Sequence, residues 1–205
     1  MSTQLLLLAG AVSGPLFVAV FLIAGTLRPH YRQLRHAVSC LALGPHGWVQ
    51  TANFVVTGLL TLAFAAGLWQ AGGSHVVAVL IGAHGAGLIG AGAFVTDPAG
   101  GYPPGTPDVP VRQSLTGRLH DLLSVSTFVA WPIAILVTGA GFLGEGAVGW
   151  GVYSLVSGVA FFVLFVLSSM GFAQVKRYAD VAGLLQRLTI GTGFLWTTLF
   201  ALHLM

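Results

Sequence analysis

The sequence predicts an all-α fold, a polytopic membrane bundle of six transmembrane helices, and three observations predict it. The chain is 56% hydrophobic and 6% charged, with a mean hydropathy of +0.89. A soluble domain carries about 25% charged residues, so a water-facing surface cannot be built from this composition. The apolar residues gather in six runs of about 20, the number a helix rising about 1.5 Å per residue needs to cross a hydrocarbon core about 30 Å thick. Between those runs the eight Lys and Arg fall only in the first, third and fifth connections or just inside the helices that follow them.

Taken in order, the first helix is predicted over Leu5–Leu27. Its LLLLAGAVSG start has the apolar core of a signal peptide, but no basic segment precedes it and the apolar run continues unbroken, so it is read as a retained membrane helix. Helix two is placed at Trp48–Trp69 and helix three at His75–Val95, joined by the short Gln70–Ser74 link. In helix three, Gly82, Ala86, Gly90 and Ala93 form a stripe of small residues suited to close packing in lipid. Helix four is placed at Thr116–Thr138, helix five at Trp150–Met170 and helix six at Leu184–Leu204. Pro15 and Pro132 are expected to kink helices one and four. Trp48, Trp69, Trp150 and Trp196 read as an interfacial belt. Neither an internal repeat nor a second domain is apparent, so residues 1–205 are read as one domain, with long polar loops at 28–47 and 96–115 on the same face.

Charge placement orients this fold. The second and fourth connections contain no Lys or Arg, and the positive-inside rule then makes the face of loops 28–47 and 96–115 cytoplasmic. The net charge of +3 is thus an orientation signal, and no nucleic-acid partner is expected. The single cysteine, Cys40, excludes an internal disulfide and a Cys-cluster metal site. GGYPPGTP is a turn between membrane helices and not a phosphate loop, and neither GxSxG nor HExxH occurs.

The chemistry concentrates in FVTDPAGGYPPGTPDVPVRQSLTGRLHDLLS, residues 94–124. Alternating spans bring Arg35, His36, Gln50, Asn53, Asp97, Arg118, His120, Asp121, Gln186 and Arg187 to one face. An ionisable group within a span defaults to a functional hypothesis. On helix four, His120, Ser124 and Thr127 share one stripe, and Gly117, Asp121 and Ser124 the adjacent one. Asp97 and Asp121 are the expected acid–base pair, with His120 as relay. Arg35, His36, Arg118 and Arg187 are expected to hold a polar or anionic end of the substrate, and Trp48, Gln50 and Asn53 to orient it. Structural roles stand beside these. Asp97 before Pro98 also ends helix three, and Asp121 in the first turn of helix four suits the helix dipole. Arg118 and Asp121, three residues apart, are also placed to pair. Arg28, Arg32, Lys176 and Arg177 read as interfacial anchors. His84 reads as polar glue or as a metal or haem ligand. No cofactor is expected, with zinc on His36, Asp97, His120 and Asp121 as an alternative.

The segments RPHYRQLRHAVSCLALGPHGWVQTANFVVTGLL, GLIGAGAFVTDPAGGYPPGTP, GRLHDLLS and GLLQRL resemble the domain of unknown function 998 family, six-helix integral membrane proteins of bacteria. The resemblance implies a bacterial cell membrane and recurring positions at Arg35, His36, Ser39, Gly44, Trp48, Asn53, Thr96, Asp97, His120, Asp121 and Arg187. Cys40 and Val95 depart from its pattern. The family carries no general biochemical assignment. The expected function is a membrane-embedded enzyme that isomerises or cyclises a lipophilic small molecule (a lipid, isoprenoid or polyketide-like compound) by acid–base chemistry. The alternatives are a transporter or lipid-binding protein, and a non-catalytic accessory membrane subunit. The expected partners are the bilayer and that lipophilic ligand.

Overall fold

The computed structural model describes residues 2–109 and 112–205. Six long helices make the fold: α1 Thr3–Leu27, α2 Gly47–Gln70, α3 His75–Ala93, α4 Leu115–Gly144, α5 Val148–Phe172 and α6 Ala182–His203. No strand occurs among the described residues. Five of the helices are long and apolar enough to cross a membrane. The expected six becomes five because α6 carries Gln186, Arg187 and several threonines. Two of those threonines do not face outward: Thr189 and Thr197 are buried, and Thr197 accepts from the Trp131 indole.

Each helix packs on its neighbours in sequence, and α6 returns to α1, so the helices close into a ring. The ring's exterior is apolar. On α5, Val152, Val156, Val159, Phe162, Val163 and Val166 are all exposed at helical spacing, a stripe only lipid can solvate. The interior carries an aromatic layer. Phe17 packs against Phe54 and Phe194, and Trp131 against Phe161 and Phe194.

Local chemistry sets the helix ends. Ser2, Ser74 and Ser114 cap α1, α3 and α4 by accepting backbone N–H bonds. At the α4–α5 turn, Gly146 takes a positive φ, its N–H bonds Leu143 and the Ala147 N–H bonds Phe142. That Schellman geometry closes the last turn with two otherwise orphaned carbonyls. Gln174 closes α5 in the same way, although it is not glycine. Helix four runs six residues past the expected Thr138, because Gly139–Gly144 continues the helix up to this cap. Pro15 and Pro132 sit inside continuous helices.

Three details correct the sequence reading. Trp196 is not a belt residue: it is fully buried and donates to Ser154 at 2.9 Å. The expected small-residue stripe of α3 packs only in part: a side chain on Gly90 would meet Leu123 of α4, but Ala86 and Ala93 are exposed, and the close approach to α2 is made by Gly85, where a side chain would meet Gly58 and Leu62. The first loop is not simply polar, because a short 3-10 turn, Val38–Ala42, buries Val38, Cys40 and Leu41 over the ring's open end.

Candidate functional site

The three longer connections meet at one end of the ring, and Arg35 ties them together. Its guanidinium bonds Asp108 at 2.7 Å and Asp180 at 2.8 Å, and its Nε–H reaches the Gly100 carbonyl at 3.3 Å. Both carboxylates are largely exposed, so these pairs register the loops more than they stabilise the fold. Arg187 does a buried version of the same work. It donates to the His36 and Gly183 carbonyls and to the Tyr31 hydroxyl, docking the first loop on α6. The Val38 N–H, held by the Gln186 amide at 2.8 Å, completes that dock.

Beneath this cover lies a cavity of about 310 Å³, near the lower end of small-molecule sites at roughly 300–1,000 Å³. Arg35, His36, Gly100, Asp121 and Gln174 line its mouth, and Phe17, His84, Trp131 and Phe194 its far end. Its depth follows from α4: ten residues from Asp121 to Trp131, or about 15 Å. The wall is predominantly apolar. Asp121 and Val125 of α4 and Ser169 of α5 line the cavity and are also exposed on the exterior, so it opens sideways between these two helices. Below that opening Phe128 and Phe165 stack at 4.9 Å across the same seam.

Two histidines of the wall have fixed tautomers. His120 is 4% exposed, and its Nδ1 lies 2.8 Å from the Phe94 carbonyl and 3.0 Å from that of Ala91. A carbonyl only accepts, so Nδ1 carries the proton and Nε2 is left as the ring's acceptor. His36 is the reverse case. Its Nδ1 accepts the Arg32 N–H at 2.9 Å, which leaves the proton on Nε2, on the side of Gly100. Burial, then the charge of Arg35, holds the His36 pKa below the ordinary histidine value.

The other candidates are distributed more widely. Arg35, His36, His120 and Asp121 line the cavity, as do Ser124 and Thr127 of the His120 stripe. Asp97 does not. Its two oxygens accept the Ser114 N–H at 2.8 Å and the Ser114 hydroxyl at 2.7 Å, so it buttresses the α4 cap. Gln50 and Asn53 are buried between helices, where Asn53 donates to the Phe17 carbonyl at 3.1 Å. Trp48 is 69% exposed and faces out. Arg118 is exposed and makes no ion pair with Asp121, which accepts instead from Gln113 at 3.0 Å. Ser114 and Gln113 escaped the sequence reading; the polar spacing before GRLHD is the signal that could have marked the cap. Zinc does not fit its expected set. Asp97 is spent on Ser114, and no three His, Cys, Asp or Glu converge among the described residues.

A ring of six helices, five of them long and apolar enough to cross a membrane, defines a multi-pass membrane protein. More specifically, residues 11–203 match the family model described as a protein of unknown function, DUF998, and the chain belongs to that family. No curated protein and no solved structure matches it.

Proposed function

We propose that this protein is a six-span enzyme of the bacterial cell membrane, its polar-loop face cytoplasmic, that acts by acid–base chemistry on a lipophilic small molecule. The carrying observation is the state of His120: a buried ring on an apolar cavity wall, with Nδ1–H fixed on two carbonyls and Nε2 left as an acceptor. A base held this way takes a proton from a bound carbon or hydroxyl group as an imidazolium and returns it at another position. Such an isomerisation or cyclisation needs no co-reactant. Asp121 at the mouth supports the charge on the ring, while Arg35 and His36 receive the ligand's polar end. Asp97 is left out of the chemistry by its bonds to Ser114.

The ligand reaches the cavity sideways, between α4 and α5. The sixth span is supported by the closed ring, in which α6 lies between α5 and α1, with Thr189 and Thr197 buried and Gln186 on the cavity wall. A second reading, a lipid-binding protein or carrier without chemistry, draws on the largely self-satisfied polar groups of the loop face, above all Arg35 and Arg187.

The test extracts the apolar small molecules held by purified wild type and by His120→Gln and compares their structures by mass spectrometry and NMR. The enzyme reading expects the variant to hold the unconverted isomer. The same compound in both proteins selects the binding protein instead.

A further inference from the structure

The acid–base reading leaves His84 without a task, although it occupies the centre of α3 and lines the far end of the cavity. The residue is 1% exposed, and neither ring nitrogen has a hydrogen-bond partner. A neutral imidazole offers one donor and one acceptor, and buried polar groups in native proteins nearly always find partners. In a membrane interior no bulk water relieves the deficit.

The ring is also held in place. It stacks on Trp131 with centroids 3.9 Å apart and planes 23° apart, and Trp131 is itself anchored by its bond to Thr197 at 3.1 Å. The His84 carbonyl accepts from Thr127, another wall residue, at 3.4 Å. On α2, three further buried groups lack partners, Gln50 Nε2, Asn53 Oδ1 and Thr57 Oγ1, all on one stripe. The close α2–α3 approach at Gly58 and Gly85 puts Thr57 at the depth of His84. Of these four residues only His84 lines the cavity, so it is the one a bound molecule reaches.

We propose that His84 reads a second polar atom of the ligand, a hydroxyl or carbonyl oxygen at the far end of its apolar body. The inference rests on the ligand-cavity reading and narrows its class to two-ended molecules: a polar head at the Arg35–His36 mouth, an apolar middle about 15 Å long, and a hydrogen-bonding terminus beside Trp131.

The test uses the full chain in nanodiscs with two probes of matching length, dodecanol and its α,ω-diol, and measures binding by native mass spectrometry. Wild type is expected to favour the diol by roughly threefold to tenfold, the worth of one neutral hydrogen bond. His84→Phe keeps a flat ring on Trp131, so it is expected to bind dodecanol normally and lose the preference. His84→Gln, which retains a donor and an acceptor, is expected to keep part of it. Should His84→Phe fail to fold, the wild-type comparison and His84→Gln still decide. Equal binding of both probes by wild type, or a preference that survives His84→Phe, overturns the role of His84 alone. Binding of neither probe removes the ligand-cavity reading, and this inference with it.

Discussion

Replacing Asp97 separates a structural role from a chemical one. Its carboxylate accepts two bonds from Ser114, whose hydroxyl in turn accepts the Gly117 N–H at 2.9 Å and caps α4. A side chain on Gly117 would collide with that carboxylate, so the two elements are fitted to each other. A hydrogen bond to a charged group contributes roughly 1.5–3 kcal/mol, and solvent screening at a partly exposed site reduces it, so Asp97→Ala should cost about 2 kcal/mol. For a chain of this size that is a fall of about 4–8 °C in the thermal midpoint. Asp97→Asn retains one acceptor and should lose about half as much. Ser114→Ala should cost about 1 kcal/mol. The double variant should lose less than the sum, because both changes break the same bonds. The assay is thermal unfolding of detergent-solubilised protein followed by fluorescence and by size-exclusion recovery. An Asp97→Asn protein of unchanged midpoint that no longer converts its ligand would refute the reasoning and return Asp97 to the chemistry.

Three further outcomes follow from the loop face. The His36 pKa is lowered by folding, so the unfolded chain binds more protons as pH falls below about 6.5. The contribution of His36 is therefore full above that pH and is lost on acidification through the lowered folded value. Hydrogen-exchange protection of residues 31–43, corrected for the intrinsic rate at each pH, should fall between pH 7 and 5, and His36→Asn should flatten that response. Cys40 is buried and its thiol pushed up to about 11, so maleimide at pH 7.5 should label it only after denaturation. For that reason Cys40 cannot report membrane orientation, whereas Lys176→Cys, on the exposed fifth connection, can. Arg35→Gln should leave the stability within about 1 kcal/mol of wild type, because its partners are exposed. The same change should speed proteolysis within residues 96–109, which it releases from the first and fifth connections.

Helix number and the polar face were legible because both rest on one-dimensional signals, hydropathy and charge. The His120–Ser124–Thr127 stripe was legible too, since helical spacing fixes which residues share a face. What failed to show was pairing across distance. Ser114 lies 17 residues from Asp97, so nothing in the Thr-Asp-Pro motif tells that its carboxylate supports the next helix. Arg187 stands at the depth expected for a ligand-binding arginine, yet the buried backbone of the first loop claims its donors. Trp196 lies toward a helix end, where tryptophans favour the interface, but the ring closure of α6 between α5 and α1 encloses it. Gln50 and Asn53 point inward as their polarity suggests, but the Phe17 and Phe54 rings, and not these amides, form the adjoining cavity wall.

The central claim is that the cavity between Asp121 and Trp131 holds a lipophilic molecule. Native mass spectrometry of the gently solubilised protein tests it most directly when wild type is compared with Ser124→Trp, which places an indole in the cavity while leaving His120, Asp121 and the loop latch intact. The account predicts one adduct of discrete mass on wild type that is missing from Ser124→Trp, with ordinary phospholipid adducts unchanged on both. Identical adducts on two equally stable proteins would contradict it.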